Sequence, residues 1–216
     1  MLSGGIDSPV AAWKAMRRGC RIIPVHFHSH PFTSIASIEK AKRLAAVLGE
    51  WQDGAKLVLV PFAEVQQAIV ARCDERLRVV LYRRMMLRIA ERIAHSHGAQ
   101  GIVTGDSIGQ VASQTLENLA SVNDAATMPV YRPLIGDDKD EIVRMARAIG
   151  TYGISIEPHG DCCSLFVPAH PATRSTIEAV RQQEARLDID ALVRAALTKT
   201  ETVSITGVPA RASIVM

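Results

Sequence analysis

The chain has 216 residues, 48% hydrophobic and 22% charged, enough to bury one good core or a large domain with a small appendage, which excludes general disorder. Its net charge of +3 arises from 19 arginines and 6 lysines against 22 acidic residues, a mildly basic balance that permits nucleic acid as a partner without requiring it. No apolar run approaches the roughly 20 residues of a membrane span, residues 1–5 lack the features of a signal peptide, and the four cysteines (20, 73, 162, 163) form no C-x-x-C, so the expectation is a cytoplasmic protein with no membrane.

The chain opens on Ser3-Gly4-Gly5-Ile6-Asp7-Ser8-Pro9, followed by an amphipathic pattern over 10–18. Branched apolar runs over 21–27, 56–60 and 101–104 predict buried strands. Apolar residues at three- and four-residue steps predict helices over 38–48, 63–73, 77–94, 111–119 and 141–149. This alternation predicts an α/β fold, a mostly parallel doubly wound sheet with helices on both faces, whose ligands bind at the carboxyl ends of the strands. Proline-punctuated residues 168–171 lead to a last helix over about 175–197. The division expected is a main domain over 1–173 and a C-terminal helical extension over 174–216 packed on it. Only Met1-Leu2 precede the loop where four or five apolar strand residues are expected, so the first strand is read as clipped.

The opening loop has two glycines for close backbone approach, hydroxyls at both ends and a proline suited to a first helical turn, so its amides face an anion at a helix N-terminus. A plain glycine turn with Asp7 or Ser8 as cap is the competing reading. No lysine follows the glycines as in G-x-x-x-x-G-K-[ST], and G-x-G-x-x-G is absent too. The pattern resembles the PP-loop, S-G-G-x-D-S, of ATP pyrophosphatases, which cleave ATP between the α- and β-phosphates. That resemblance implies that Asp7 helps bind Mg²⁺ and position phosphates.

Further blocks extend it: Val25-His26-Phe27-His28-Ser29, Arg83-Arg84-Met85-Met86, Gly105-Asp106-Ser107-Ile108-Gly109-Gln110 through Thr115, Arg132-Pro133-Leu134-Ile135, and Asp161-Cys162-Cys163-Ser164-Leu165-Phe166-Val167-Pro168. In this order and spacing they resemble the tRNA 4-thiouridine synthetase and thiamine-biosynthesis sulfurtransferase family (ThiI) over nearly the whole chain. The resemblance implies two stages: ATP adenylates O4 of uridine 8 in tRNA, and a persulfide sulfur then displaces AMP. It also implies sulfur supply to thiamine thiazole synthesis. A carbonyl oxygen leaves poorly until it carries AMP, and a persulfide is the matching soft nucleophile.

Carried over by position, the resemblance implies nucleotide contacts at Met1, Leu2, Ser3, Gly4, Gly5, Asp7, Ser8, His26, Phe27, Arg83, Gly105 and Gln114. Lys139 is implied as an electrostatic stabiliser of adenylation, set against a solvated helix start as the plain reading. Met85 and Met86 are read as core packing. His26, His28 and His30 share one strand face, as a metal site requires, although a strand end beside a nucleotide is the favoured reading. Of Cys162 and Cys163, adjacent and unable to pair without strain, one is implied as the thiol that resolves sulfur transfer. The C-S-L-F-V-P match favours Cys163, and ungapped counting from Lys139 favours Cys162.

Full-length members of that family carry a tRNA-binding region with a THUMP domain, and some end in a rhodanese domain; neither is seen here. The expected partners are therefore tRNA, a cysteine desulfurase as persulfide donor, a THUMP-containing region or subunit, and a second copy in a homodimer. No iron-sulfur cluster is expected, because residues 80–83 hold no C-x-x-C. Two other readings stay open: a different PP-loop ligase or amidotransferase, and a catalytically incomplete nucleotide-binding domain that needs a partner subunit.

Overall fold

The computed structural model describes residues 1–158, 166, 168 and 170–205. Helix and strand alternate along them as α1 (Asp7–Met16), β1 (Val25–His28), α2 (Ala36–Gly49), β2 (Ala55–Pro61), α3 (Ala63–Arg72), α4 (Arg78–Ser96), β3 (Ile102–Val103), α5 (Leu116–Asn123), β4 (Val130–Tyr131), α6 (Lys139–Ala148), α7 (Tyr152–Ser155), α8 (Ile177–Glu184), α9 (Ile189–Thr198) and β5 (Glu201–Ile205).

β1 pairs parallel with β2, Val25 opposite Val58, and β3 pairs parallel with β4, Ile102 opposite Val130. Residues 1–2 join the two sets: the Leu2 amide donates to Val25 O at 2.7 Å, and the Met1 nitrogen donates to Val103 O at 2.6 Å. Across the molecule the order is β4, β3, residues 1–2, β1, β2 and β5, with β5 antiparallel on the outer edge of β2. The chain winds from the centre to one side and then crosses to the other. The switch point lies where residues 1–2 end and the glycine-rich loop begins, which is where open α/β sheets bind ligands.

Both faces of the sheet are apolar because β2 alternates two kinds of burial. Val58 and Val60 pack with Val25, Phe27 and the buried faces of α3, α4 and α9. Leu57 and Leu59 face the other way, onto Leu44, Ala45 and Leu48 of α2. A third cluster joins Val10 and Ala11 of α1 to Leu134 and to Ile142, Ala146 and Ile149 of α6 and its end. The doubly wound α/β architecture read from the sequence is the one observed.

Four local expectations change. The first strand begins at Val25 instead of 21, and α5 begins at Leu116, after a single 3₁₀ turn over Ala112–Gln114 capped by Thr115, whose side chain accepts from Asn118 N. β4 and β5 have no counterpart among the predicted strands. The last predicted helix divides into α8 and α9, because Asp188 caps a new helix by accepting from Ala191 N at 2.9 Å. Residues 201–205 then return as a strand, so the C-terminal part adds to the sheet as well as to the helical layer.

α8 is tied to α4 by charge. The Arg84 guanidinium, 1% exposed, donates to both carboxylate oxygens of Glu184 at 2.8 and 2.7 Å, and Arg88 donates to the same carboxylate. Asp124 completes the cluster, accepting from Arg84 at 3.1 Å and from Arg181 at 2.6 Å. Burial pushes the Glu184 carboxyl up, but the arginines hold it below its ordinary 4.5. Its folded value is thus depressed, so this contribution to stability is complete above about 4.5 and is lost as pH falls through the folded value.

Glu184→Ala takes the two-oxygen carboxylate partner from a buried guanidinium, leaving it Asp124 and Ser121 O, and is expected to cost ~3 kcal/mol in urea unfolding at neutral pH. Arg181→Ala, at a solvent-facing pair, is expected to cost under about 1 kcal/mol. The stability gap between the parent and Glu184→Gln should narrow as pH falls from about 5 toward about 3; a gap that widens instead contradicts the assignment.

Candidate functional site at the switch point

The loop between residues 1–2 and α1 is held by its own hydroxyls. Ser8 Oγ accepts from Ser3 N at 2.8 Å and lies 3.0 Å from Ser3 Oγ, which in turn accepts from Gly5 N at 3.2 Å. Ser8 is itself buried, so its hydroxyl closes the loop from inside. The helix that follows has Ile6 at its cap with no side-chain hydrogen bond there, which leaves first-turn amides facing outward as anion donors. Acidic Asp7 at the first helical position suits the positive end of the dipole.

Gly105 explains why the loop sits where it does. A Cβ placed on it would stand 2.7 Å from Ser8 N, 2.8 Å from Ser8 Cα and 3.0 Å from the Asp7 carbonyl carbon, all backbone atoms with no freedom to swing away. Only glycine lets the end of β3 lie directly against the first turn of α1.

Lys139 reaches the same loop from α6. An Asp138 capping box starts that helix: Asp138 Oδ1 accepts from Glu141 N at 2.7 Å, and Glu141 Oε2 accepts from Asp138 N at 3.1 Å. Lys139 Nζ then donates to Asp7 Oδ1 at 2.7 Å and lies 3.4 Å from Gln110 Oε1. The segment before α6 is pinned as well, with Lys14 Nζ donating to Asp137 Oδ2 at 2.6 Å and Ser107 Oγ donating to Asp137 O at 3.1 Å.

Behind Gly105 lies Asp106, buried and surrounded by donors. Its Oδ1 accepts from Arg83 Nη2 and, at 3.4 Å, from Gln114 Nε2; its Oδ2 accepts from Thr104 Oγ1 at 2.8 Å and from Arg132 Nε at 3.2 Å. Arg83 Nη1 also donates to Ser113 O at 2.8 Å. Burial pushes the Asp106 carboxyl up, but Arg83, Thr104 and Arg132 outweigh it and hold the group below the ordinary 3.8.

The remaining predicted residues fall nearby in a different way. Leu2 and Phe27 have their side chains in the core, Phe27 edge-on to Phe62 at 5.4 Å, so those side chains do not face the loop's surroundings. His26 is buried, and its Nδ1 lies 3.0 Å from Leu2 O; a carbonyl only accepts, so Nδ1 carries the proton. Burial, with His26 and His30 alongside, lowers His28 to about 4, which keeps it neutral at pH 7. Among the described residues no group of three His, Cys, Asp or Glu is arranged to hold a metal ion. Cys162 and Cys163 lie outside the described residues. Gly4, Met85 and Met86 are buried, the two methionines in the core as expected.

Several contributors were not singled out from the sequence. Asp106, Arg132 and Gln110 stand in quoted blocks but carry no local pattern of their own. Lys40 did leave a trace, since it occupies the apolar phase of α2 with Ser37, Ala41 and Leu44. Its ammonium is buried and donates to Ser155 O and Glu157 O, both at 2.7 Å, while Ser155 Oγ donates to Gly5 O at 3.3 Å. α7 is thus bound both to α2 and to the loop.

The arrangement suits an anionic ligand that also carries polar edges. Gln110 Nε2, Gln114 Oε1 and Arg132 Nη2 are buried with no hydrogen-bond partner among the described residues, and they accompany outward amides and the Lys139 ammonium. Such donors and acceptors are what a phosphate chain and a base edge require. A broad cleft lined by Arg18, Arg21, Lys56, Gly101 and Tyr131 lies at the opposite end of the strands and shares no residue with this set.

Gly105→Ala forces the loop away from β3. The expected result is at least a tenfold rise in the ATP dissociation constant by calorimetry, with a stability loss of ~1–3 kcal/mol; unchanged affinity would show that the contact does not shape the loop.

The chain matches the family model described as thiamine biosynthesis protein (ThiI) over residues 1–189. It is 57% identical over 206 residues to a protein of Thermus thermophilus named "Probable tRNA sulfurtransferase", covering 95% of this chain and 51% of that protein. It is 50% identical over 188 residues to one of the same name from Caldanaerobacter subterraneus subsp. tengcongensis, covering 87% and 50%. A crystal structure described as a 4-thiouridine synthetase–RNA complex with bound ATP superposes with a TM-score of 0.90 at 44% identity, covering 95% of this chain and 54% of that one. The chain spans about half the length of the curated relatives it matches. A match over residues 1–189, the span that contains the loop, the Arg83 helix, the Gly105 block and Lys139, places this chain in the ThiI family.

Proposed function

We propose that this chain is the ATP-using and sulfur-transferring part of a tRNA sulfurtransferase. The observation that carries the reading is the Asp7–Lys139 pair, 2.7 Å apart at the open N-terminus of α1 on the sheet's switch point. The structural neighbour that shares this fold holds ATP and RNA, and relatives at up to 57% identity are named for tRNA sulfur transfer.

In this reading uridine O4 attacks the α-phosphorus of ATP, the bond to the bridging oxygen breaks, and pyrophosphate leaves toward the loop amides. Loop and first-turn amides other than those of Ser3 and Gly5, which the hydroxyls of Ser8 and Ser3 hold, donate to the leaving phosphates at the positive end of the helix. Lys139 exchanges Asp7 for phosphate oxygens and offsets the charge that grows on them. Arg83 and Gln114 face the nucleotide from the β3 side, with backbone at Leu2 and Phe27 on the other. Mg²⁺ would be held by Asp7 together with the phosphates, since this ion usually takes one or two carboxylates and keeps water, and it would supply charge neutralisation there.

The terminal sulfur of the persulfide then attacks C4 and displaces AMP, which leaves the donor's sulfur bonded to the one now on C4. Cys163 or Cys162, as the resolving thiol, attacks the donor's sulfur, that S–S bond breaks and 4-thiouridine departs. The disulfide left between donor and resolving cysteine is returned to thiols by an external dithiol reductant. A cysteine desulfurase supplies the persulfide, and the tRNA-binding contribution comes from a THUMP-containing region or subunit. A cytoplasmic, reducing location, a homodimer and sulfur supply to thiazole synthesis complete the reading. Among the described residues, no helix is long and apolar enough to cross a membrane.

The test is pyrophosphate release from Mg-ATP with and without unmodified tRNA, in the parent chain and Asp7→Ala. Release that depends on Asp7 and rises with tRNA is expected. ATP binding without release in the presence of tRNA would overturn self-sufficient adenylation. Cys162→Ser and Cys163→Ser should each keep pyrophosphate release, and the one at the resolving position should lose 4-thiouridine formation; loss in neither favours a PP-loop ligase of another kind.

A further inference from the structure

Among the described residues Asp106 is the one buried carboxylate at the switch point, and its neighbours account for its whole bonding capacity. An ionised carboxylate offers about four lone-pair sites, and here they meet Arg83, Gln114, Thr104 and Arg132. It has none left for a metal ion, and two guanidiniums keep a proton off it. Asp106 is therefore neither a general base nor a metal ligand.

What it does hold is geometry. Arg83 comes from α4, Gln114 from the 3₁₀ turn before α5, and Arg132 from the end of β4. Their polar ends converge on one carboxylate, and Arg83 is locked a second time by Ser113 O, next to Gln114. The preceding residue is Gly105, pressed on the backbone of Ser8 and Asp7. Moving Asp106 thus moves these three side chains and the floor of the loop together. Gln114 Oε1 and Arg132 Nη2, on two of those side chains, are buried with no hydrogen-bond partner among the described residues and so keep bonding capacity beyond Asp106.

We propose that Asp106 is the positioning residue of the nucleotide site, orienting Arg83 and Gln114 toward bound ATP and keeping the glycine-rich loop seated through Gly105. The proposal rests on the nucleotide reading above and adds to it a residue that touches no substrate. Asparagine at this position cannot substitute: guanidinium groups only donate, and an amide presents one acceptor oxygen, so either Arg83 or Arg132 loses its partner.

The test is a double-mutant cycle on ATP affinity, measured by calorimetry with the chain as it stands, beside its melting temperature without nucleotide. Asp106→Asn and Arg83→Gln are each expected to raise the dissociation constant about tenfold, and the double variant should bind no worse than either single one. Fully additive losses, or Asp106→Asn binding ATP as the parent does, would overturn the proposal, because a purely structural aspartate lowers the melting temperature without being coupled to Arg83. Should Asp106→Asn fail to fold, Thr104→Val removes one donor to the same carboxylate at nearly constant volume. It is expected to weaken ATP about threefold, and parental affinity there would also overturn the proposal. A parent chain that binds no ATP at all removes the nucleotide reading itself, and this inference with it, an outcome distinct from a variant that binds normally.

Discussion

The structure depends on a single backbone contact, the seating of Gly105 against the first turn of α1. There the end of β3 and the start of the helix after the central strand touch without a side chain between them, closer than any Cβ allows. This contact sets the spacing of the switch point and so decides where the loop amides point. It also places the next residue, Asp106, directly behind the loop. Arg83, Gln114 and Arg132 gather on that residue from three separate elements, so one glycine positions both the anion-binding backbone and the charged cluster that backs it.

The cations around the loop fall into two kinds, and the difference lies in solvent. Lys139 is half exposed and paired with Asp7, a contact of the type worth ~0–1 kcal/mol, so leaving that carboxylate costs it little. Arg83 and Arg132 are mostly buried on Asp106, where removing a partner is far more costly. The site thus combines a lysine held by one solvent-facing pair with arginines fixed on a buried carboxylate. The same distinction recurs at the C-terminal end, where buried Arg84 and Glu184 anchor α8 while Arg181 adds only a surface pair.

Much of this architecture was legible in the chain because it is written locally. The 3.6-residue period marks α3, α4 and α6, and branched runs mark β1 and β2. The paired glycines before Asp7-Ser8-Pro9 mark the loop. Shorter elements were not legible: β4 has two residues, too few for any period, and β5 follows a helix within a stretch whose pattern stayed helical. The break between α8 and α9 turned on one side chain, Asp188, accepting one amide.

By itself, the sequence determined the alternation of elements, the loop with its glycines and Asp7, and the set of blocks that identify the family. Tertiary structure alone decided that residues 1–2 run between β1 and β3, that Lys139 meets Asp7 across 132 residues, and that Asp106 serves as a hub and Lys40 as a buried clamp. The physical reason is the range of the interactions. Periodicity and capping act within a few residues and leave a pattern in the chain, whereas a carboxylate's partners or a Cβ clash depend on which distant segments pack together, and packing is settled only when the whole core forms.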